Sequence, residues 1–320
     1  MNSSVSPALP GIVYHYCSVE TFYNIILHHT LRLSDIEKSN DFMEKKWAIS
    51  QCLHHIENHI EQPQFTGDRR KSRELLEQLN IQFKQFNTMI LACCFSSVRD
   101  LLSQWRGYGD NGSGVCIGFD ARRTFQHAFQ RASQYFRFSS TERQLPTQLL
   151  FHNVKYTTDE IEHSVLTLFH SYLTMPDQHA SLSDTALDLV KLIYPALPFF
   201  KMRSFCEERE WRCVYYPNLP APPYSFEHFT ETRFENILSS QRRRRAVDHF
   251  DLLELNYRLR ESNLVPYRDL DFSTLPDPFI KNITIGPKCP LDRETVKLFL
   301  ALNGIAVPLD EIYKSEASYR

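Results

Sequence analysis

The chain has little net charge, no long apolar run and no paired-cysteine motif. With 36 basic against 38 acidic side chains its formal charge is −2, so no global positive field argues for nucleic acid and only local patches remain. No stretch reaches the roughly 18 consecutive apolar residues of a membrane span. The longest candidate, LVKLIYPALPFF, is broken by Lys191 and two prolines. The first residues, MNSSVSPALPGIVYHYC, lack the basic region and apolar run of a secretion signal. None of the eight cysteines falls in a C-x-x-C spacing, which argues against structural zinc, and they read as reduced thiols. The expectation is a soluble cytoplasmic protein without a membrane segment. Motifs are missing too: no P-loop, no G-x-G-x-x-G after a strand, no HRD or DFG, no G-x-S-x-G. HHIENH places His55 and His59 four apart with Glu57 between them, which is not the H-E-x-x-H of a zinc helix, so no metal site is expected.

What is present is a mixed pattern of short strands and amphipathic helices. GIVYHYC (11–17) is β-rich and ends at Ser18, a good helix cap; Val19, Phe22, Ile25 and Ile26 then recur at helical period. LRLSD (31–35) reads as a second strand, and NDFMEKKWAISQCLHHIENHI carries one apolar helical stripe. A further helix is expected from about Ser72, then strands at TMILACCFS (88–96), VCIGFD (115–120) and FHNVKYT (151–157). Helices follow near 158–174 and 183–193, with a strand over 209–216. FIKNITIGPKCPLDRETVKLFLALNGI reads as strand, turn and helix, with Pro290 and Asp292 at the helix start. Strands and helices do not alternate in βαβ order and no repeat is visible, so the pattern predicts α+β in one domain.

Five stretches carry candidate chemistry. KMRSFCEEREWRCVYY (201–216) sets Glu207, Glu208, Arg209, Glu210 and Arg212 where a strand begins. Alternation puts Glu210 and Arg212 on one face and Trp211, Cys213 and Tyr215 on the other. The charged face is either solvated on an edge strand or lines a site. His15 lies in an otherwise apolar strand, as a core histidine or a ligand contact. Ser34, Ser39, Asn40 and Asp41 fit helix caps as well as a binding loop. In LLSQWRGYGDNGSG, Trp105 and Tyr108 flank Arg106 and Gly107, ahead of a glycine-dense stretch that either cradles a phosphate or simply turns. The run Arg242, Arg243, Arg244, Arg245 is a solvated surface or a contact to RNA or DNA phosphates.

Taken in order, YHYCSVETFYNIILHHTLRLSDIEKSNDFME, LACCFSSVRDLLSQWRGYGDNGSGVCIGFD, KMRSFCEEREWRCVYY and ITIGPK resemble the bacterial family of unknown function DUF2971. Tyr14, His15, Tyr16, Leu31, Leu33, Ser34, Asn40, Asp41 and Glu44 match its first segment; Trp105, Tyr108 and Asp110 its second; Lys201, Phe205, Glu208, Glu210, Trp211 and Arg212 its third. That architecture is similar to the ADP-ribosyltransferase superfamily, including its DNA-modifying toxin branch. The resemblance implies an α+β, ADP-ribosyltransferase-like split β-sheet with helical insertions. It would form a single domain over 1–320, with a core at roughly 11–306 and a variable insert at roughly 217–262. It implies NAD as a substrate, Glu210 and His15 as catalytic residues, and Tyr14, Tyr16, Ser34, Asn40, Asp41, Trp105 and Arg212 around the bound NAD. Arg32, Arg106 or Arg212 would meet the pyrophosphate. The activity implied is transfer of ADP-ribose to a protein or nucleic-acid acceptor in a toxin or phage-defence setting. The alternatives are NAD hydrolysis and a catalytically inactive module of the same fold that binds nucleic acid or protein.

Overall fold

The structure is a computed structural model. It describes residues 8–38, 44–86, 88–136, 148–173, 181–217, 239, 245–247, 250–260, 262–275 and 278–318. Asn40, Asp41 and Arg242 to Arg244 lie outside the described residues, as does much of the expected insert.

Local signals place most elements. β1 (Ile12–Cys17) runs into α1 (Val19–His28), which Ser18 caps by accepting the Thr21 backbone N–H. His29 ends the helix with φ 51°, a left-handed stop that side chains other than glycine adopt rarely. β2 (Thr30–Asp35) and α2 (Glu44–Glu61) follow. α3 (Arg69–Gln85) starts before the expected Ser72, because the Asp68 carboxylate accepts two backbone N–H groups and moves the cap upstream. Next come β3 (Leu91–Ser96), α4 (Leu102–Gly107), β4 (Val115–Asp120), α5 (Ala121–Phe136) and β5 (Leu150–Asn153). α6 (Thr158–Leu173), α7 (Leu182–Ile193) and β6 (Glu210–Tyr215) lie close to expectation. β7 (Arg245–Val247), β8 (Phe250–Leu252), β9 (Asn256–Arg260) and β10 (Asn263–Asp271) fall largely in the stretch expected as an insert. β11 (Ile280–Ile285), α8 (Arg293–Leu302, capped by Asp292) and β12 (Ile312–Lys314) close the chain.

The described strands form one sheet in the order β12-β11-β4-β1-β3-β2-β10-β8-β7, with β6 on β3, β5 on β6 and β9 on β10. Pairing is antiparallel except between β11 and β12. The fold is α+β. One apolar cluster, including Val13, Leu33, Phe95, Trp211 and Val296, packs on one face against α1, α5 and α8. The other, including Ile56, Leu79, Phe169, Leu189 and Val214, packs on the opposite face against α2, α3, α6 and α7. No helix among the described residues is long and apolar enough to cross a membrane.

β3 is where the sheet divides. One of its edges pairs with β6 from Leu91 to Ser96. The other edge is shared: β1 meets it at Tyr14–Ser96, and β2 meets it at Ser34–Ala92 and Asp35–Leu91. Between those rungs the ladder is open, and the His15 imidazole closes it, its Nδ1–H donating to the Cys94 carbonyl at 2.9 Å. A buried carbonyl needs a donor, and a side chain supplies one where the neighbouring backbone has parted.

β6 is not the solvated edge strand that its charges allow. It lies between β3 and β5, and all six residues are buried.

Asp100 ties the C-terminal strand to this end of the sheet. Its carboxylate accepts Trp105 Nε1–H at 2.6 Å, the Ser315 hydroxyl at 2.6 Å and the Glu316 N–H at 2.8 Å. Trp105 is fully buried, so Asp100→Ala strands an indole donor. The expected loss is about 2 kcal/mol or more, measured by urea unfolding.

Candidate functional site

The chain enters β6 through a 3-10 turn, Arg203–Glu208, closed by Arg209 in the left-handed region at φ 45°. This reversal lets Glu208 and Glu210, on either side of it, reach the same ammonium. Lys201 Nζ donates to Glu208 Oε2 at 2.7 Å and to Glu210 Oε2 at 3.1 Å. Glu210 and Arg212 share a strand face as alternation requires, and Arg212 binds Glu210 through two nitrogens, Nε to Oε1 at 2.7 Å and Nη2 to Oε2 at 2.9 Å. Arg212 Nη2 also donates to Glu44 Oε1 at 2.8 Å, and Nη1 to the Pro198 carbonyl at 2.6 Å. Glu210 is 5% exposed and Arg212 2%. Trp211 points to the other face, 5.4 Å from the Phe151 ring.

Three carboxylates and two cations thus share one buried cluster. Burial alone would raise the Glu210 pKa, but the Arg212 guanidinium and the Lys201 ammonium override it and hold it down to about 2. Glu44 and Glu208 go the other way: burial outweighs Arg212 at Glu44 and Lys201 at Glu208, and both pKa values rise. Arg212 and Lys201 are desolvated too, yet the carboxylates around them keep both charged, with raised pKa values.

The cluster forms one wall of a small open cleft of about 110 Å³, on the face of the sheet that carries Ser34 of β2, Ala92 and Cys94 of β3, and Arg258 and Arg260 of β9. Tyr108, 38% exposed, stands in this lining just after α4. Asp35 belongs to it as well. Its Oδ1 accepts the Glu37 N–H at 3.0 Å, and its buried Oδ2 has no hydrogen-bond partner among the described residues. Burial raises its pKa to about 6 against the pull of Lys38 and Lys45.

Of the residues expected around a ligand, the cleft collects Ser34, Glu210 and Arg212. His15 is half-buried on the other side of the sheet, beside Cys93 Sγ at 3.8 Å and the Phe95 ring at 5.6 Å, and reaches the site only through the Cys94 carbonyl. Burial lowers its pKa, so the neutral ring donates from Nδ1. Tyr14 sits over Gly118 of β4, next to Asn282. Tyr16 donates to the Val98 carbonyl at 2.8 Å and packs edge-on to Trp105 at 4.8 Å. With Trp105 fully buried, this pair serves as packing and offers a ligand no stacking surface. Arg32 is bound twice to Asp269, at 2.9 and 3.1 Å. The glycine-dense turn is packed against the protein: a Cβ on Gly114 would meet the Cys17 carbonyl at 2.1 Å.

Lys201, Glu44, Tyr108, Asp35, Lys38, Arg258 and Arg260 also line the cleft, without having been singled out as site residues. Lys201 and Glu44 lie within the motif segments. Arg258 and Arg260 are visible only as an i, i+2 pair in NYRLR.

Two variants check the electrostatics. Arg212→Met leaves three buried carboxylates with Lys201 alone and should cost about 3–5 kcal/mol. Glu210→Gln leaves two carboxylates facing two cations and should cost less; urea unfolding of both at pH 7 compares them. For Asp35, the folded state holds its proton more tightly than the unfolded chain, so this group makes stability fall as pH rises from 3.8 to about 6. Asp35→Asn keeps the bond from Glu37 and removes the charge. It should be more stable than wild type at pH 8, by about 2 kcal/mol, and lack that segment of the pH dependence in thermal melts.

Comparison with curated proteins and with solved structures gives no match. Residues 104–213 match the model of a family described as a protein of unknown function. That segment runs from α4 through most of β6, carries Tyr108, Lys201, Glu208, Glu210 and Arg212, and is similar to the family DUF2971.

Proposed function

We propose that the cleft binds NAD and that the protein transfers ADP-ribose from it to a macromolecular acceptor, a protein or a nucleic acid, in the toxin or phage-defence setting that the superfamily resemblance suggests. The observation that carries this reading is Glu210: a buried carboxylate that Arg212 and Lys201 hold ionised in the wall of a cleft. A carboxylate offers about four acceptor positions. Three are taken by the cations, and the remaining side of Glu210 meets the Cys94 thiol, a weak donor that a ribose hydroxyl would displace.

When the bond between ribose C1′ and the nicotinamide nitrogen breaks, its electron pair leaves with neutral nicotinamide and positive charge develops on the ribose. A fixed negative group stabilises that charge without reorganising. A carboxylate with a pKa near 2 is a poor proton acceptor, so the role of Glu210 is electrostatic. The neighbouring Glu44 and Glu208, whose pKa values burial raises, are the better acceptors for the proton that the incoming nucleophile loses as it bonds to C1′. Tyr108 offers the exposed aromatic surface against which nicotinamide can stack. His15 acts from behind the sheet as a positioning residue, holding the Cys94 carbonyl and with it the strand beside Glu210.

A second reading, a binding module of the same fold without the chemistry, is favoured by the two cations that already take three of the acceptor positions of Glu210. One assay separates them: nicotinamide release from NAD by the purified protein, with and without cell-extract acceptors, beside Glu210→Gln. Release that falls by about 100-fold or more in the variant, with ADP-ribose attached to an acceptor, is the expected result. Free ADP-ribose instead would make the enzyme a glycohydrolase. No release from folded wild type under either condition would remove the enzyme reading.

A further inference from the structure

The other end of the cleft carries charge of the opposite sign. Tyr267 of β10 lies on the same rung as Ser34 of β2 and Asn256 of β9, so alternation carries the cleft face of β2 onto the hairpin that β9 and β10 form. Arg258 pairs with Val265, two residues past that rung, and Arg260 with Asn263 at the hairpin end. Both guanidinium side chains therefore belong to the cleft face, and both line the cleft together with Lys38. The opposite face of the hairpin shows Tyr257, Leu259 and Leu264 to solvent.

The local charge balance is lopsided. Among the described residues Asp269 is the acid that acts on Arg258, and Arg32 already holds both of its oxygens. Arg258 Nε is buried and has no hydrogen-bond partner among the described residues. Burial and the positive charges of Arg32 and Arg260 push the Arg258 pKa down, with Asp269 offsetting only part of this. An unpaired buried N–H on a crowded cation costs free energy in the empty protein, and a bound anion would recover it. Arg212, one of the three arginines expected to meet phosphate, is consumed by Glu210, Glu44 and the Pro198 carbonyl.

We infer that Arg258 and Arg260, carried over the cleft by the β9–β10 hairpin and joined there by Lys38, form the subsite for the diphosphate group of a nucleotide ligand. Residues two apart on a strand face are about 7 Å from each other, which lets two planar forks grip the two phosphates from either side. The cleft then reads as a polar axis, with carboxylates at the Glu210 end and cations at the hairpin end. This assignment deepens the nucleotide reading of the cleft and rests on it only for the nucleotide.

The test is calorimetric titration of the full chain with inorganic pyrophosphate, ADP and adenosine, for wild type, Arg258→Gln, Arg258→Lys and the double variant Arg258→Gln, Arg260→Gln. Wild type should bind pyrophosphate and ADP. Arg258→Gln should weaken both by about 10-fold or more and leave any adenosine affinity unchanged. Because Arg258 is crowded by like charge, the ligand-free Arg258→Gln protein should melt no lower than wild type, a result that a merely structural arginine would not give. Arg258→Lys should keep the melting temperature and part of the affinity. Saturable pyrophosphate binding through Arg258 in a protein that releases no nicotinamide would support the subsite and remove only the transfer reaction. No binding by wild type, or unchanged affinity in the folded double variant, overturns the assignment. So does arginine-dependent binding of a single-stranded RNA by a protein that does not bind pyrophosphate.

Discussion

The structure around the cleft depends on one buried guanidinium. Arg212 leaves water almost completely, which costs several kcal/mol unless every donor finds a partner. The partners come from three places far apart in sequence: Glu210 on its own strand, Glu44 at the start of α2, and the carbonyl of Pro198 in the turn after α7. Once the charge is buried, those three segments have to converge on it. Lys201 extends the same constraint to Glu208. The cluster contributes little net stability by itself, since desolvation offsets most of the Coulomb attraction. Its effect is on geometry: it holds one carboxylate ionised at a set place in the wall of a cleft.

The opening in the sheet creates the room for that cleft. β1 and β2 lie along one edge of β3 and part between the Tyr14–Ser96 and Ser34–Ala92 rungs. Parted strands leave backbone groups without partners, and His15 satisfies the one at Cys94. A histidine in an apolar strand is thereby explained without ligand contact, as a clamp on the strand that pairs with the Glu210 strand. On the far side, the β9–β10 hairpin continues the same face and contributes the cations. The wall that carries Glu210, the parting and the hairpin belong to one sheet surface, so charge of both signs is arranged along one cleft.

Several features were legible in the sequence. Ser18 and Asp292 announce the starts of α1 and α8 by their side-chain oxygens, and the alternation in EWRCVY assigns Glu210 and Trp211 to opposite faces whatever the neighbours are. The α+β class follows from the order of the elements. Helix α5 and strands β7 to β10 are absent from the sequence reading: α5 does carry an apolar stripe through Phe125, Ala128 and Ala132, whereas the strands are short and charged, and β10 joins the sheet through the distant β2. Asp68 capping α3 was passed over for Ser72, since either residue type fits a cap and only hydrogen-bond geometry distinguishes them.

What the sequence by itself determined is local: which residues turn the chain, which faces are apolar, and which ionisable groups share a face with which. Whether β6 is an edge or a central strand could not be local, because it depends on β3 and β5, more than a hundred and about sixty residues upstream in the chain. That choice decides whether Glu210 and Arg212 are solvated ions of little consequence or a desolvated pair with shifted pKa values. The same holds for Trp105, whose place in the core depends on Tyr16 and Asp100, and for Arg258, whose nearness to the cleft depends on strand register. A charge has the same chemistry in the sequence wherever it lies; only tertiary structure sets its distance from water and from other charges, and those two distances fix its energy.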